Sequence, residues 1–433
     1  MERLEESDLV DGLSVNYMKY SGLWTIINEY RETGRKNAML KIGVFITMIF
    51  LCPFITFSLS SFFVIEVDFQ AATMFVLNPC SCIQSVLKVL VFWFGLESQC
   101  QILNMMRKDF LNCIPKDKEE EANEIMKNIA HRSNYFCVAG ITANTACVLV
   151  WNFIPVLRSQ YFREELNIKL DNMETNSPNK ILGGWYPFNY TVTPWSEGVY
   201  VFEFIVCAWA GFVISLHECI LIQLVMLLWG HLKVVSFVLS NIRRSDFLVK
   251  KRFSAIHSFK NYEDDSINSS EAVSKRMNDH LLICLKDHQH LMKVGDQIRD
   301  LYNFLITAQL GTGLLIMIIT VFHFQYYGTK DALFTVKFVV YLGYCMVENV
   351  LYCYCGAYLE AASEEVGMGF YSGEWYKGDV NYRKIGQMLM VRSLRPVSLI
   401  AVQLYPVNLT TLTSLLQLTY SSSALMSRFI NDN

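Results

Sequence analysis

Seven stretches of this chain are apolar over the length a helix needs to cross a bilayer, roughly 20 residues. They fall at residues 38–65, 72–96, 136–157, 199–228, 301–324, 333–356 and 404–429. No other feature narrows the fold so far. Inside hydrocarbon every backbone N–H and C=O must be satisfied within its own segment or in a closed barrel, so runs this long are read as helices. Only 18% of the 433 residues are charged, against about a quarter in soluble chains. The fold class expected is an all-α membrane protein with seven transmembrane helices. The seventh run, rich in Thr and Ser, is the least apolar. The fourth keeps a helical pattern beyond membrane thickness, through LWGHLKVVSFVLSNI, and is expected to project into the cytosol.

Orientation follows from Lys and Arg, which concentrate on cytoplasmic segments. With the N-terminus inside, 28 of the 37 fall on inner segments, 6 on outer segments, and Lys41, Lys88 and Lys337 within spans. The N-terminus is therefore expected to be cytoplasmic and the C-terminus extracellular, the reverse of a G-protein-coupled receptor. The opening MERLEESDLVDG is acidic and lacks the basic start, apolar run and small-residue cleavage site of a signal peptide. The first span is then its own insertion signal.

Most of the thirteen cysteines lie in apolar runs, where Cys behaves as a small hydrophobe. The pairs Cys80–Cys82 and Cys353–Cys355 lack the two-residue spacing of metal or redox sites. A net charge of −3 without basic tracts points to no nucleic-acid partner. His217-Glu218 is a lone pair with no third ligand, so neither a metal site nor an enzyme is expected. No cofactor is implied.

Before the fourth span, residues 184–200 read GWYPFNYTVTPWSEGVY. Trp185, Tyr186, Phe188 and Trp195 gain little in water unless they bury, and Pro187 and Pro194 preset the backbone. Two readings stand: an aromatic belt at the headgroup level, or a lid over a cavity between the outer halves of the spans. Asn189-Tyr190-Thr191 is a glycosylation sequon on the outer face. Asn268 heads another indoors, and Asn408 a third inside the seventh span.

This stretch resembles the one that precedes the fourth span in insect odorant receptors, where Trp-Tyr-Pro-Phe-Asp is followed by Pro and Glu-x-x-Tyr. Here Trp185, Tyr186, Pro187, Phe188, Pro194, Glu197 and Tyr200 match, and Asn189 replaces the usual Asp. Further marks agree in order. Gly22-Leu23-Trp24 is similar to the family's N-terminal Gly-Leu-Trp, with Thr25 where a Pro often follows. Cys284, His288 and Leu291 fit a cytosolic Cys-x-x-x-His pattern. Tyr371, Ser372 and Trp375 fit the segment after the sixth span, and Thr419-Tyr420 the C-terminal one.

The resemblance implies an odorant-gated cation channel of the plasma membrane, in the dendrite of an olfactory sensory neuron. It implies a hetero-oligomer, a tetramer, in which a ligand-selective tuning subunit pairs with a shared coreceptor subunit. This chain is similar to a tuning subunit, because the coreceptor has a far larger second inner loop. The ligand implied is a volatile, apolar small molecule, held among spans two, three, four and six in contact with membrane lipid. The expected organisation is a cytoplasmic segment 1–37, spans one to four over 38–228 with the outer loop 158–198 and the odorant pocket, a cytoplasmic extension and anchor loop 229–300, spans five and six over 301–360, a cytoplasmic anchor helix region 361–403, and a pore-lining helix with a short extracellular tail over 404–433.

The residues of the seventh span point to a pore on their own. Thr410, Thr413, Gln417, Tyr420, Ser423 and Ser427 recur at spacings of 3, 4, 3, 3 and 4, one helical face. Such a face needs water, another helix, or its own carbonyls one turn back. Lacking Asp and Glu, the stripe predicts broad cation preference. In the coreceptor a bulky aliphatic residue stands where this chain has Ser423, so closure of the pore is expected to depend on partner subunits.

An odorant site should be concave, aromatic and sparsely polar. By position the candidates are Phe75 on the second span, Thr145, Val148 and Trp151 on the third, Tyr200, Phe204 and Cys207 on the fourth, and Phe338, Tyr341 and Tyr344 on the sixth. Ordinary bundle packing is the competing reading for each. Glu203 and Glu348 are ionisable groups within spans, costly and often functional, whereas Lys41 and Lys337 near span ends can snorkel. Glu203 is read as a polar group at the pocket edge or paired in the bundle. A gustatory-receptor-type channel shares the architecture, but its Thr-Tyr is followed by five apolar residues and Gln-Phe, where this chain has SSSALMS. A transporter would carry internal repeats, and none is visible.

Overall fold

The computed structural model describes residues 17, 19–64, 69–106, 111–165, 181–182, 184–188, 194–247, 270–327 and 332–431. Among them are nine α-helices: α1 Leu23–Thr33, α2 Ala38–Val64, α3 Phe69–Met105, α4 Glu119–Glu165, α5 Trp195–Ser240, α6 Ser270–Tyr327, α7 Ala332–Ser372, α8 Val380–Ser393 and α9 Leu409–Asn431. Six of these, α2 to α7, are long and apolar enough to cross a membrane. The seventh, α9, has 23 residues and a more polar composition, as its Ser and Thr content predicts.

The helices outrun the apolar spans. At about 1.5 Å per residue, the 46 residues of α5 reach about 69 Å and the 58 of α6 about 87 Å, against a hydrocarbon core of about 30 Å. Both continue beyond the end that the Lys and Arg distribution places inside. There α8 packs between α6 and α7, and Phe370 fills the space above Gly386, where a Cβ would lie 1.9 Å from the ring. The extension of α5 is expected from its pattern, but the 31 helical residues 270–300 are not. Their apolar positions are intermittent, and the packing of α6 on its neighbours, rather than hydropathy, makes them helical.

Pro53, Pro79 and Pro155 lie inside α2, α3 and α4. A spanning helix tolerates proline because neighbouring helices and hydroxyl side chains re-satisfy the carbonyl freed four residues back. The short α1 sits between two left-handed glycines, Gly22 at φ 77° and Gly34 at φ 66°, a conformation with no Cβ penalty only for glycine. The Gly-Leu-Trp motif is thus a turn that buries Leu23 and Trp24.

The seventh helix begins later than its apolar run. Residues 400–406 form a hairpin in which Ile400 pairs with Pro406 and Ala401 with Tyr405. Its turn holds Val402 and Gln403 at φ 53° and 58°. Asn408 then caps α9, accepting from the Thr410 and Thr411 N–H groups at 3.1 and 3.2 Å. This cap uses the Asn408 side chain, so the third sequon has a structural role.

Two apolar clusters hold the bundle. The larger joins α1, α3, α5, α6, α7 and α8 at the inner end, with α5 buried on all sides from residue 218 to 232. The smaller gathers Leu51, Phe54, Leu77, Trp151, Ile181, Leu182, Phe338 and Tyr341 at the outer end. It encloses a cavity.

Candidate functional site

The outer cluster leaves about 470 Å³ free of protein atoms, part of it continuous with the exterior. Its wall comes from four helices and one loop. Asn78, Ser81 and Cys82 come from α3; Asn144, Cys147, Val148 and Trp151 from α4; Cys207, Ala210, Gly211 and Ile214 from α5; and Tyr341 and Tyr344 from α7. Leu182 closes one side. The lining is apolar with a few amides and hydroxyls, the chemistry of a site for a small, mainly apolar molecule.

On this wall α5 presents the small residues Ala210 and Gly211 where it faces α4. A Cβ on Gly211 would lie 2.5 Å from Val148 Cγ2, so the two helices approach closely there. The wall polar groups are largely engaged with one another. Asn144 donates to Gly211 O at 2.7 Å and to Ser215 Oγ at 2.6 Å. Ser81 and the Tyr341 hydroxyl lie 2.7 Å apart. The Tyr344 hydroxyl donates to Glu348 Oε1. Trp151 packs on Tyr341 with ring centroids 4.9 Å apart, and Lys337 Nζ sits 4.2 Å over its ring.

Of the ten sequence candidates, Val148, Trp151, Cys207, Tyr341 and Tyr344 line this cavity together. Phe338 lies behind Trp151 in an edge contact at 6.4 Å and stacks on His323 at 4.3 Å. Tyr200 is half-buried and donates to Asn152 O at 3.0 Å. Phe75 is buried against Phe62. Thr145 and Phe204 are exposed on outward faces. Each sits one residue beyond a buried neighbour, Asn144 or Glu203, and one residue turns a helix by about 100°. The small and amide residues of the wall were not among the candidates. On α3 the NPCSC run at 78–82 around Pro79 is the sequence signal that marks the wall-lining turn, one turn beyond Phe75.

A loop covers the cavity, and Glu203 holds it. This carboxylate, fully buried on α5, accepts from the Ile181 and Leu182 N–H groups at 2.6 and 3.0 Å and from the Tyr186 hydroxyl at 2.8 Å. Lys337 donates to Ile181 O at 2.7 Å, and Asn78 donates to Leu182 O. The Trp185 N–H donates to Ser61 Oγ at 2.7 Å. Tyr186 packs on Phe57, Phe188 and Phe202, and Phe188 continues to Trp195. Lys337 is thus 3% exposed and turned inward rather than snorkelling. Asn189 and Asn268 lie outside the described residues.

In α9, Thr410, Thr413, Gln417 and Tyr420 are exposed, whereas Ser423 is buried. The buried face runs through Leu412, Leu415, Thr419 and Ser423, which rest on the bundle. Thr413, Thr419 and Ser423 also donate to Thr410 O, Leu415 O and Tyr420 O, at 2.7, 2.8 and 2.8 Å. The side chain of Ser427 lies outside the described residues. Tyr420 is 73% exposed and Leu425 57%, so α9 stands at the bundle edge with a mixed polar and apolar flank uncovered.

A family model described as 7tm Odorant receptor matches residues 65–420. The putative odorant receptor 69a, isoform A, of Drosophila melanogaster is 27% identical over 140 residues, 32% of this chain and 35% of that protein. Odorant receptor 67c of the same organism is 26% identical over 171 residues, 40% of this chain and 41% of the relative. These alignments therefore span about two-fifths or less of the relatives' length. The fold is similar to that of the insect olfactory receptor OR5 from Machilis hrabei in complex with eugenol. The TM-score is 0.70 at 14% identity, over 90% of this chain and 88% of that one.

Proposed function

This chain belongs to the 7tm odorant receptor family, and from that premise we propose that it is the ligand-selective tuning subunit of an odorant-gated, non-selective cation channel. Its ligand is a volatile, mainly apolar molecule that occupies the cavity among α3, α4, α5 and α7. The observation that carries this reading is the cavity itself: aromatic on one wall, small-residue on another, and covered by a loop stapled through Glu203. Such a site takes a small, uncharged, mainly apolar molecule, and the eugenol held by the Machilis hrabei receptor is one of that class.

The channel is a tetramer formed with an insect odorant coreceptor subunit in the dendritic plasma membrane of an olfactory neuron. Helix α9 supports the pore role because Thr410, Thr413, Gln417 and Tyr420 stay uncovered in the single chain and need water or a neighbouring subunit beside them. Ligand opens the channel by binding the open arrangement more tightly than the closed one. The test is coexpression with an insect coreceptor and recording under a broad odorant panel. An inward cation current that needs both subunits and no GTP is expected. Absence of current across the panel at normal surface levels refutes the reading.

A further inference from the structure

Below the cavity lies a cluster of ionisable groups in the dry interior. Lys88 Nζ on α3 is 3.0 Å from Glu218 Oε1 on α5, and both residues are 3% exposed. Glu348 on α7, also 3% exposed, neighbours Glu218. Gln309 Nε2 on α6 donates to Glu348 Oε2 at 2.7 Å. The other Glu348 oxygen accepts from the Tyr344 hydroxyl, and Tyr344 is part of the cavity wall. Charges at this depth are costly unless each is paired, and packing alone does not call for them.

The same two helices lead from this cluster to α9. On α6, two residues before Gln309, Thr307 Oγ1 accepts from the Val402 N–H at 2.8 Å. Val402 sits in the left-handed hairpin turn that feeds α9. On α7, three turns beyond Tyr344, the space above Gly356 is filled by the backbone of Val407, with Val407 O 1.9 Å from where a Cβ would be. Farther on, Glu360 accepts from Asn408, the α9 cap, at 3.4 Å. Both helices that Glu348 holds together therefore touch the seven residues preceding α9.

We propose that Glu348 is a positioning residue that couples occupancy of the cavity to the start of the pore helix. This rests on reading α9 as the pore. A ligand against Tyr344 changes the partner of one Glu348 oxygen. Because a buried polar group left unpartnered is costly, the α6–α7 pair resettles into another bonded arrangement rather than deforming gradually. The hairpin at 400–406 follows, and α9 with it.

The test is recording from the chain coexpressed with an insect coreceptor. Odorant-free current is compared with current evoked by saturating eugenol, hexyl acetate, 2-heptanone and octanal, with surface level measured by biotinylation. Glu348→Gln is expected to change the odorant-free open probability, and the maximal evoked current, by about 5-fold or more, the lower end of ordinary allosteric coupling. Combining it with Tyr344→Phe is expected to add far less than the two single effects, and Thr307→Val, at the hairpin end, to change efficacy in the same direction. Wild-type currents from Glu348→Gln at normal surface level overturn the inference. Should that variant fail to reach the surface, Gln309→Met severs the same link from α6, and wild-type currents there overturn it equally. A wild-type pair that carries no current beyond coreceptor-only cells refutes the channel reading instead, and this inference with it.

Discussion

The Tyr186 hydroxyl donates to Glu203 Oε1 at 2.8 Å, and so ties the aromatic outer loop to the outer end of a spanning helix. The other Glu203 oxygen takes two backbone N–H groups of the same loop. One carboxylate thus fixes three points of the cavity cover. The belt and lid readings of WYPFN meet here: Tyr186 is 3% exposed and acts as cover, while Phe188 and Trp195, at 40% and 58%, face outward.

Removing that staple should weaken ligand response in graded steps. Tyr186→Phe deletes one hydrogen bond to a charged group, about 1.5–3 kcal/mol, but leaves the two N–H donors in place. Glu203→Ala strands both donors, each costing about 1–3 kcal/mol when buried. Dose–response curves normalised to surface level should show half-maximal concentration rising several-fold for Tyr186→Phe and more than about ten-fold for Glu203→Ala. Glu203→Gln should fall between them. Equal, wild-type curves for all three would mean the loop is not part of the site.

Cavity volume gives a second prediction. Ala210 lines the space and is 6% exposed. Ala210→Leu places three more carbons there, and overpacking costs typically about 1–3 kcal/mol. The expected result is a loss of about 5- to 150-fold in potency for the larger active odorants, with smaller ones affected less. Val148→Ala, which opens the same wall, should shift preference toward larger ligands. A panel ranked by molecular volume checks both.

What could be read from the sequence divides along physical lines. Apolar length marks α2 to α7 because the bilayer sets it. The inner extension of α6 over residues 270–300 escapes because the bilayer does not set its length. Trp151, Tyr341 and Tyr344 are found because large aromatics near an outer end are conspicuous. Thr145 and Phe204 fall outside the wall because the spanning parts of α4 and α5 carry apolar residues on every face, so hydropathy does not say which face turns inward. Ser81, Ala210 and Gly211 pass unnoticed for the opposite reason: small residues in an apolar run give no signal of their own, although Ala210 leaves room and Gly211 lets α4 approach. Ser423 shares a face with Gln417 and Tyr420 by spacing alone, yet the contact of α9 with the bundle falls across it.

His288, in the part of α6 beyond the membrane, is fully buried, and among the described residues neither ring nitrogen has a hydrogen-bond partner. Burial, aided by the charge of Arg392, pushes its pKa down to about 4 from 6.5. The folded state then binds fewer protons than the unfolded chain. Stability from this group is whole above 6.5 and is lost as pH falls from 6.5 towards 4. Between pH 7.5 and 5 the loss is about 2 kcal/mol. His288→Leu should flatten that part of the profile in a detergent-solubilised thermal melt. The neighbouring Asp287, raised by burial, acts in the opposite sense on acidification. The difference between variant and wild type therefore isolates the imidazole. A variant with an unchanged pH slope would remove His288 as its source.

Gly356 tests the junction between α7 and the hairpin. A Cβ there would stand 1.9 Å from Val407 O, a backbone atom held by the Val407 N–H donating to Leu399 O at 2.8 Å. Neither side can yield by rotating a side chain, so Gly356→Ala must push the hairpin away. Destabilisation of more than about 2 kcal/mol is expected, at the upper end of ordinary substitutions. The readout is a lower melting temperature and reduced surface expression. Gly43→Ala, which meets nothing within 4 Å, serves as the control.

The orientation of α9 can be read by thiol chemistry, because the exposure pattern separates two faces that sequence spacing puts together. Gln417 and Tyr420 are uncovered, and Ser423 is 0% exposed against the bundle. In the assembled channel a membrane-impermeant methanethiosulfonate should therefore react with Gln417→Cys and Tyr420→Cys and change the current. Ser423→Cys should be protected. The native cysteines interfere little in principle: all thirteen are free, ten of them buried and Cys52, Cys80 and Cys207 half-buried, and a buried thiol in apolar surroundings is a poor thiolate. Replacing those three first removes the background. Opening by odorant should speed modification at 417 and 420 if these positions line the conduit, since the reagent must enter through it. If Ser423→Cys reacts and Tyr420→Cys does not, α9 turns its wet side toward the bundle, and the conduit lies elsewhere.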